Sequence, residues 1–204
     1  MLLHKKLEGY NLILASASPR RRQLLADCGL NFTLAEKFEC DESFPADMPA
    51  CEVAQYLSKI KSNAYPTELA DGDIVLTADT VVIAEDKILG KPADKTEATA
   101  MLSMLSARKH IVTTGVTIRS KRLSHSFSVT STVSFRALSN EEIDYYIETY
   151  KPYDKAGAYG IQEWIGYVAI EVIEGSFFNV MGLPVQRLYM ELDAFIESDL
   201  LNSK

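Results

Sequence analysis

Asp79 lies within Thr77-Ala78-Asp79-Thr80, in the most apolar strand-like stretch of the chain. Burying a carboxylate costs free energy unless the group is paired, binds a metal or performs chemistry. Asp79 is therefore the first candidate catalyst; the alternative is an aspartate that bonds local backbone at a strand kink. Lys61, Lys91 and Lys155 stand beside turn or small residues. A compact ammonium suits phosphate oxygens as a point charge, although each lysine taken alone fits an ordinary solvated surface. Residues 11 to 22, Asn-Leu-Ile-Leu-Ala-Ser-Ala-Ser-Pro-Arg-Arg-Arg, run an apolar strand into a small-residue turn and a helix that opens on three cations. Ser16 and Ser18 supply hydroxyls, the free N–H groups of a helix start favour an anion, and Arg20, Arg21 and Arg22 add full charges and forked donors. The three arginines cannot all point one way, and a capped surface helix with solvated arginines is the competing explanation. In Asp154-Lys155-Ala156-Gly157-Ala158-Tyr159-Gly160-Ile161-Gln162, small residues and two glycines surround polar groups. That composition suits a loop approaching a ligand closely, or a tight connection with none. Gln162 offers both donor and acceptor, as reading a nucleobase edge requires.

The elements that position these residues follow from periodicity and caps. Leu12 to Leu14 form a short buried strand, Ser18 caps a helix with Pro19 at its first position, and Gly29 stops it. Asp41 to Pro49 is a loop before a helix at about 50 to 64, whose Val53, Tyr56, Leu57 and Ile60 share a face, with Lys61 near its end. Ile74 to Ala84 is a buried strand, turned at Glu85-Asp86 into Lys87 to Leu89 and ended by Gly90-Lys91-Pro92. Asp94 with Glu97, and Ser139 with Glu142, open helices ending near Leu105 and Tyr150. Residues 109 to 119 and 125 to 136 are two long strands. Pro184 to about Ile196 is an amphipathic helix carrying Val185, Leu188, Tyr189, Leu192 and Ile196, read as core packing. Alternating strands and helices predict an α/β domain.

Composition narrows the function class. The 204 residues, 47% hydrophobic and 24% charged, suit one compact domain over 1–204, with room for two lobes around a cleft. A net charge of -7 and a pI near 5.1 argue against nucleic-acid binding. Cys28, Cys40 and Cys51 have no zinc-like spacing and read as reduced thiols of a cytoplasmic protein. Residues 1 to 10 are too short and broken for a signal-peptide core, and no apolar run reaches membrane-spanning length, so no membrane partner is expected. An exposed edge strand or the C-terminal helix could support a homodimer.

Together the segments resemble the Maf family of nucleoside triphosphate pyrophosphatases from Leu12 to about Leu188. The resemblance is carried by Ala15-Ser16-Ala17-Ser18-Pro19-Arg20-Arg21, Asp41-Glu42, Lys61, Ala78-Asp79-Thr80, Gly90-Lys91-Pro92, Asp154 to Gln162, and Met181-Gly182-Leu183-Pro184. The Thr80 and Gln162 pair resembles the subfamily acting on dTTP and UTP, in contrast to its sister for 7-methyl-GTP. The resemblance implies an inosine-triphosphatase-like mixed sheet with flanking helices. It also implies hydrolysis of a nucleoside triphosphate to the monophosphate and pyrophosphate with a divalent cation, Mg²⁺ or Mn²⁺. Asp79 then takes the role of proton acceptor, and Arg20, Thr80 and Gln162 tune substrate choice. Water activated by Asp79 would attack the α-phosphorus, while Ser16, Arg20, Arg21, Lys61 and Lys91 hold the substrate and Glu42 is a metal ligand.

The chain departs from this pattern twice. Thr77 stands where many relatives carry Gly, a change expected to matter little. Glu163-Trp164 follow Gln162 where Gly is common, and Trp164 either stacks on a pyrimidine or caps the loop by packing. The rival function is a nucleotide-binding regulator of cell division with little turnover. An unpaired carboxylate at Asp79 would speak against it, since a pure binder gains nothing from negative charge beside phosphates.

Overall fold

The computed structural model describes residues 1–201. In chain order its elements are α1 (Leu3–Lys6), β1 (Asn11–Leu14), α2 (Pro19–Asp27), β2 (Thr33–Leu34), α3 (Ala50–Asn63), β3 (Asp73–Ala84), β4 (Lys87–Leu89), α4 (Lys95–Leu105), β5 (Lys109–Arg119), β6 (Ser124–Phe135), α5 (Asn140–Tyr150), α6 (Trp164–Val168), β7 (Ile170–Glu174), α7 (Phe177–Met181) and α8 (Val185–Leu201). The architecture is α/β as expected, and the sheet is mixed, as the family resemblance implied. Its seven strands follow the order β2-β1-β3-β5-β6-β7, with β4 also on β3. β1 is parallel to β2 and β3, in register Leu12 to Ile74 and Leu14 to Leu76, whereas β4 and β7 run antiparallel to β3 and β6. Among the described residues no helix is long and apolar enough to cross a membrane.

The chain forms two compact units. One comprises Met1–Asp79, Thr114–Val129 and the chain from Gly182 onward; the other comprises Thr80–Thr113 and Thr130–Met181. In the first, Ile13, Ala15, Leu69 and Val75 form an apolar cluster against which Phe38 and Tyr65 pack. α3 buries Val53, Ala54 and Leu57, while Tyr56 and Ile60 of the predicted face are half-buried. It lies close on β5 because Gly115 has no side chain: a Cβ there would sit 2.3 Å from the backbone of Ala54. α8 runs past the expected end near Ile196, held where Ser120 donates to the buried Asp199 at 2.6 Å.

In the second unit α4 and α5 bury Leu102, Leu105, Ile143, Tyr146 and Ile147 around Val82, Phe135 and Ile165. Both predicted helix starts are capped. Asp94 accepts from the Glu97 amide at 2.9 Å, and Ser139 with Glu142 forms a full capping box. Arg136 grips Glu142 with both guanidinium nitrogens at 2.7 and 3.0 Å. This fork holds the Glu142 carboxyl down at about 2. His110 is buried with its Nε2 2.8 Å from the Tyr159 hydroxyl, and burial pushes its pKa down to about 4.

Candidate active site

The first unit assembles the strand, turn and helix of residues 11 to 27 as expected. The Ser18 hydroxyl accepts from the Arg21 amide at 3.4 Å, with Pro19 at the helix start. Ser16 Oγ accepts from the Ser18 amide at 3.3 Å and from Arg21 Nη1 at 3.4 Å. The three arginines diverge: Arg22 is exposed, while Arg20 and Arg21 are half-buried. Arg21 turns inward, donating from Nε to the Gly182 carbonyl and from Nη1 to the Ala78 carbonyl, both at 2.8 Å. Burial lowers its pKa from the usual arginine value, against the opposing pull of the Asp79 carboxylate. It thereby braces the backbone of the residue preceding Asp79.

Asp79 is not unpaired, which corrects the expectation of a bare carboxylate and removes the case it made against a pure binder. Lys61, in the last turn of α3, places Nζ 2.5 Å from Asp79 Oδ1 and 3.0 Å from Glu42 Oε2. The Lys61 and Asp79 side chains retain 18% and 13% of their accessible surface, against 51% for Glu42. This is a largely sheltered pair with one carboxylate reaching in from a loop. α3 is fixed for the task by several bonds. Thr77 is fully buried and donates to the Ser58 carbonyl at 2.7 Å, the Ser58 and Thr117 hydroxyls lie 2.9 Å apart, and Arg119 donates to the Ser62 carbonyl at 2.6 Å. Thr77, expected to matter little, therefore ties β3 to the helix three residues before Lys61.

No group of three or more histidine, cysteine or acidic side chains suited to a metal occurs among the described residues. Two hard carboxylate oxygens nevertheless converge on one cation, the Lys61 ammonium. Of the two, Glu42, on a loop with half its side chain exposed, offers the hard oxygen that suits Mg²⁺ or Mn²⁺, which take one or two carboxylates and complete their shell with phosphate oxygens and water.

The second unit holds the remaining candidates. Thr80 is half-buried on β3, and Lys91, just past β4, is exposed and makes no ion pair among the described residues. Gly157 ties the Gly90-Lys91-Pro92 turn to the 154–162 loop by donating its amide to the Gly90 carbonyl at 3.0 Å. It does so at φ +68°, where a Cβ would also meet Val82 at 3.0 Å. Lys155, an initial phosphate candidate, is buried and paired with Asp154 at 2.7 Å and Glu163 at 3.1 Å. Gln162 is half-buried, and its Oε1 is buried without accepting a hydrogen bond. Trp164 packs edge-on to Tyr145 at 5.0 Å and against the unit's core, which favours packing over stacking on a base.

Sequence reasoning missed Tyr146. At helical spacing from Ile143 and Tyr150 it reads as core, and nothing in the spacing reveals that its hydroxyl bonds Glu163 and the Gly160 amide. The convergence of Glu42 and Asp79 on Lys61 was likewise hidden by sequence separation.

Residues 11–195 match the Maf-like protein family. The chain belongs to the Maf family. The Maf chain is 50% identical over 191 residues to a protein of Parabacteroides distasonis named dTTP/UTP pyrophosphatase, covering 94% of this chain and 99% of that one. It is 50% identical over 195 residues to a Porphyromonas gingivalis protein of the same name, with 95% and 98% covered. A Bacteroides thetaiotaomicron protein, also so named, is 46% identical over 186 residues, with 91% and 96% covered. Among solved structures, a HAM1 protein from Coxiella burnetii aligns over 91% of this chain and 99% of its own, at 13% identity and a TM-score of 0.44.

Proposed function

We propose that this chain hydrolyses dTTP and UTP to the nucleoside monophosphate and pyrophosphate. The observation that carries the reading is the Lys61 ammonium set 2.5 Å from Asp79 and 3.0 Å from Glu42. Its support is the name borne by relatives matched along almost the whole chain. Asp79 accepts a proton from water as the water oxygen bonds the α-phosphorus and the bond to the pyrophosphate oxygen breaks. Lys61, Arg20 and Lys91 bind the triphosphate, with Ser16 at the helix start; Arg21 holds the turn and adds charge to the same site. Thr80 and Gln162 select the base, the unused Gln162 acceptor supplying one half of a donor and acceptor pair. Glu42 is the residue that would hold a divalent cation together with the substrate's phosphate oxygens. Such an ion, when bound, neutralises charge on the leaving pyrophosphate. We assign the activity to one domain over 1–204, acting in the cytoplasm on free nucleotides, in keeping with a net charge of -7.

The test is a panel of UTP, dTTP, CTP, ATP and GTP incubated with the protein and Mg²⁺ or Mn²⁺, with products separated by chromatography. UMP and dTMP with pyrophosphate are expected, UTP and dTTP being consumed fastest. UDP with orthophosphate would place the attack at the wrong phosphorus, and no turnover on any nucleotide would leave a binder in place of an enzyme.

A further inference from the structure

The segment that presents Gln162 is a hydrogen-bonded turn. The Glu163 amide donates to the Gly160 carbonyl at 3.0 Å, which puts Ile161 and Gln162 at its two central positions. Both ends of this turn meet one phenol. The fully buried Tyr146 accepts from the Gly160 amide at 3.0 Å and donates to Glu163 Oε2. The other Glu163 oxygen, Oε1, takes the buried Lys155 ammonium at 3.1 Å. The turn closes tightly over this pair, since a Cβ on Gly160 would lie 2.9 Å from the Glu163 carboxyl carbon and 3.1 Å from Lys155 Cε. On the far side the Glu163 carbonyl accepts from Gly166, and Trp164 is wedged against Tyr145.

A turn needs none of this to exist; one backbone bond suffices. A buried ammonium, a half-buried carboxylate and a buried phenol around a four-residue turn are costly unless every donor and acceptor is matched, and matched networks fix one conformation. From these contacts we infer that Tyr146 and Glu163 are positioning residues for Gln162, holding the turn so that its amide meets the base in one orientation. The inference rests on Gln162 reading the base. Selectivity depends on that orientation, because a polar group displaced from its partner loses its discrimination while the phosphate contacts persist.

Two variants probe this. Tyr146→Phe removes the hydroxyl that joins both turn ends. Glu163→Gln keeps the volume but presents an amide donor to either Tyr146 or Lys155, both already donors. In each, the ratio of kcat/KM for UTP to that for CTP is expected to fall about tenfold, the size of one lost buried hydrogen bond. The kcat for UTP is expected to change far less than KM. Added to a Gln162→Ala background, Glu163→Gln should lower the ratio no further, as coupled residues require. Trp164, the only tryptophan in the chain, reports the turn without turnover, and its quenching by acrylamide should rise in Tyr146→Phe. An unmodified protein that turns over all nucleotides alike refutes base reading by Gln162 itself and takes the inference with it. If the unmodified protein discriminates, the inference alone is overturned by a ratio held within about twofold in both variants, or by an equal loss on every nucleotide, as general destabilisation would give. Should Tyr146→Phe fail to fold, Glu163→Gln decides.

Discussion

Gly115→Ala tests whether the packing of α3 on β5 sets the geometry of the Lys61 and Asp79 pair. The added Cβ would lie 2.3 Å from the Ala54 carbon and oxygen and from the Gln55 nitrogen, whereas ordinary contact begins at 3.4 Å. The difference, about 1.1 Å, has to be absorbed by moving one backbone from the other, because all three atoms belong to the main chain and no side chain can swing aside. Overpacking of this kind costs about 1–3 kcal/mol. In a protein of this size that is roughly 2–12 °C in Tm, at about 2–4 °C per kcal/mol. Lys61 rides on the same helix, two turns beyond Ala54, so its ammonium shifts with the helix relative to Asp79. A misplacement of about 1 Å can reduce turnover about a hundredfold. Thermal unfolding and kcat/KM on UTP, measured on the same preparation, read both effects. Unchanged Tm together with unchanged kcat/KM would refute the coupling of α3 packing to the site.

Other perturbations act on single groups. Asp79→Asn is expected to cut turnover about a hundredfold or more, with nucleotide binding retained or tighter in equilibrium titration. Lys61 still has the Glu42 carboxylate as a partner, 3.0 Å away in the unmodified protein, so Tm should barely move. Lys91→Ala removes an exposed cation and should cost about 1.5–3 kcal/mol in kcat/KM with stability within about 0.5 kcal/mol; loss of the fold would make Lys91 structural. His110, held down at about 4 by burial, leaves the unfolded chain binding the extra proton as pH falls below about 6.5. Its contribution to stability is present above that pH and is lost toward pH 4, to a total of about 3 kcal/mol. Denaturant titrations of the unmodified protein and His110→Gln across this window should converge at low pH, and parallel curves would show that His110 does not titrate on unfolding.

The elements with local punctuation were legible in the sequence. Ser18 and Pro19 open α2, Glu85 and Asp86 turn at φ 50° and 61°, and Ser139 with Glu142 closes a capping box. Short elements stabilised only by neighbours were not. β2 is two exposed residues paired to β1, and β7 is an edge strand whose consecutive Glu171 and Val172 are both exposed, so neither carries a clear hydrophobic period. Residue types named Asp79, Lys61 and Gln162 as candidates, but their partners are tertiary. Glu42 and Lys61 are brought to Asp79 by a loop and a helix, and Tyr146 reaches Glu163 from α5. An aspartate read as unpaired is in fact matched by a lysine 18 residues away in sequence.

The sheltered Lys61 and the exposed Lys91 differ in their sensitivity to ionic strength. The screening length falls from about 30 Å at 0.01 M to about 3 Å at 1 M. Mobile ions can therefore intercept the approach of a polyanion to Lys91, but they cannot enter the 2.5 Å gap between Lys61 and Asp79. With Lys91 binding phosphate as proposed, added salt should raise KM and spare kcat, the internal ion pair staying intact. The same division makes the Lys61 ammonium a built-in counterion. It balances one of the two carboxylates beside it before any nucleotide arrives, so an incoming phosphate meets less net negative charge than two bare acids would present.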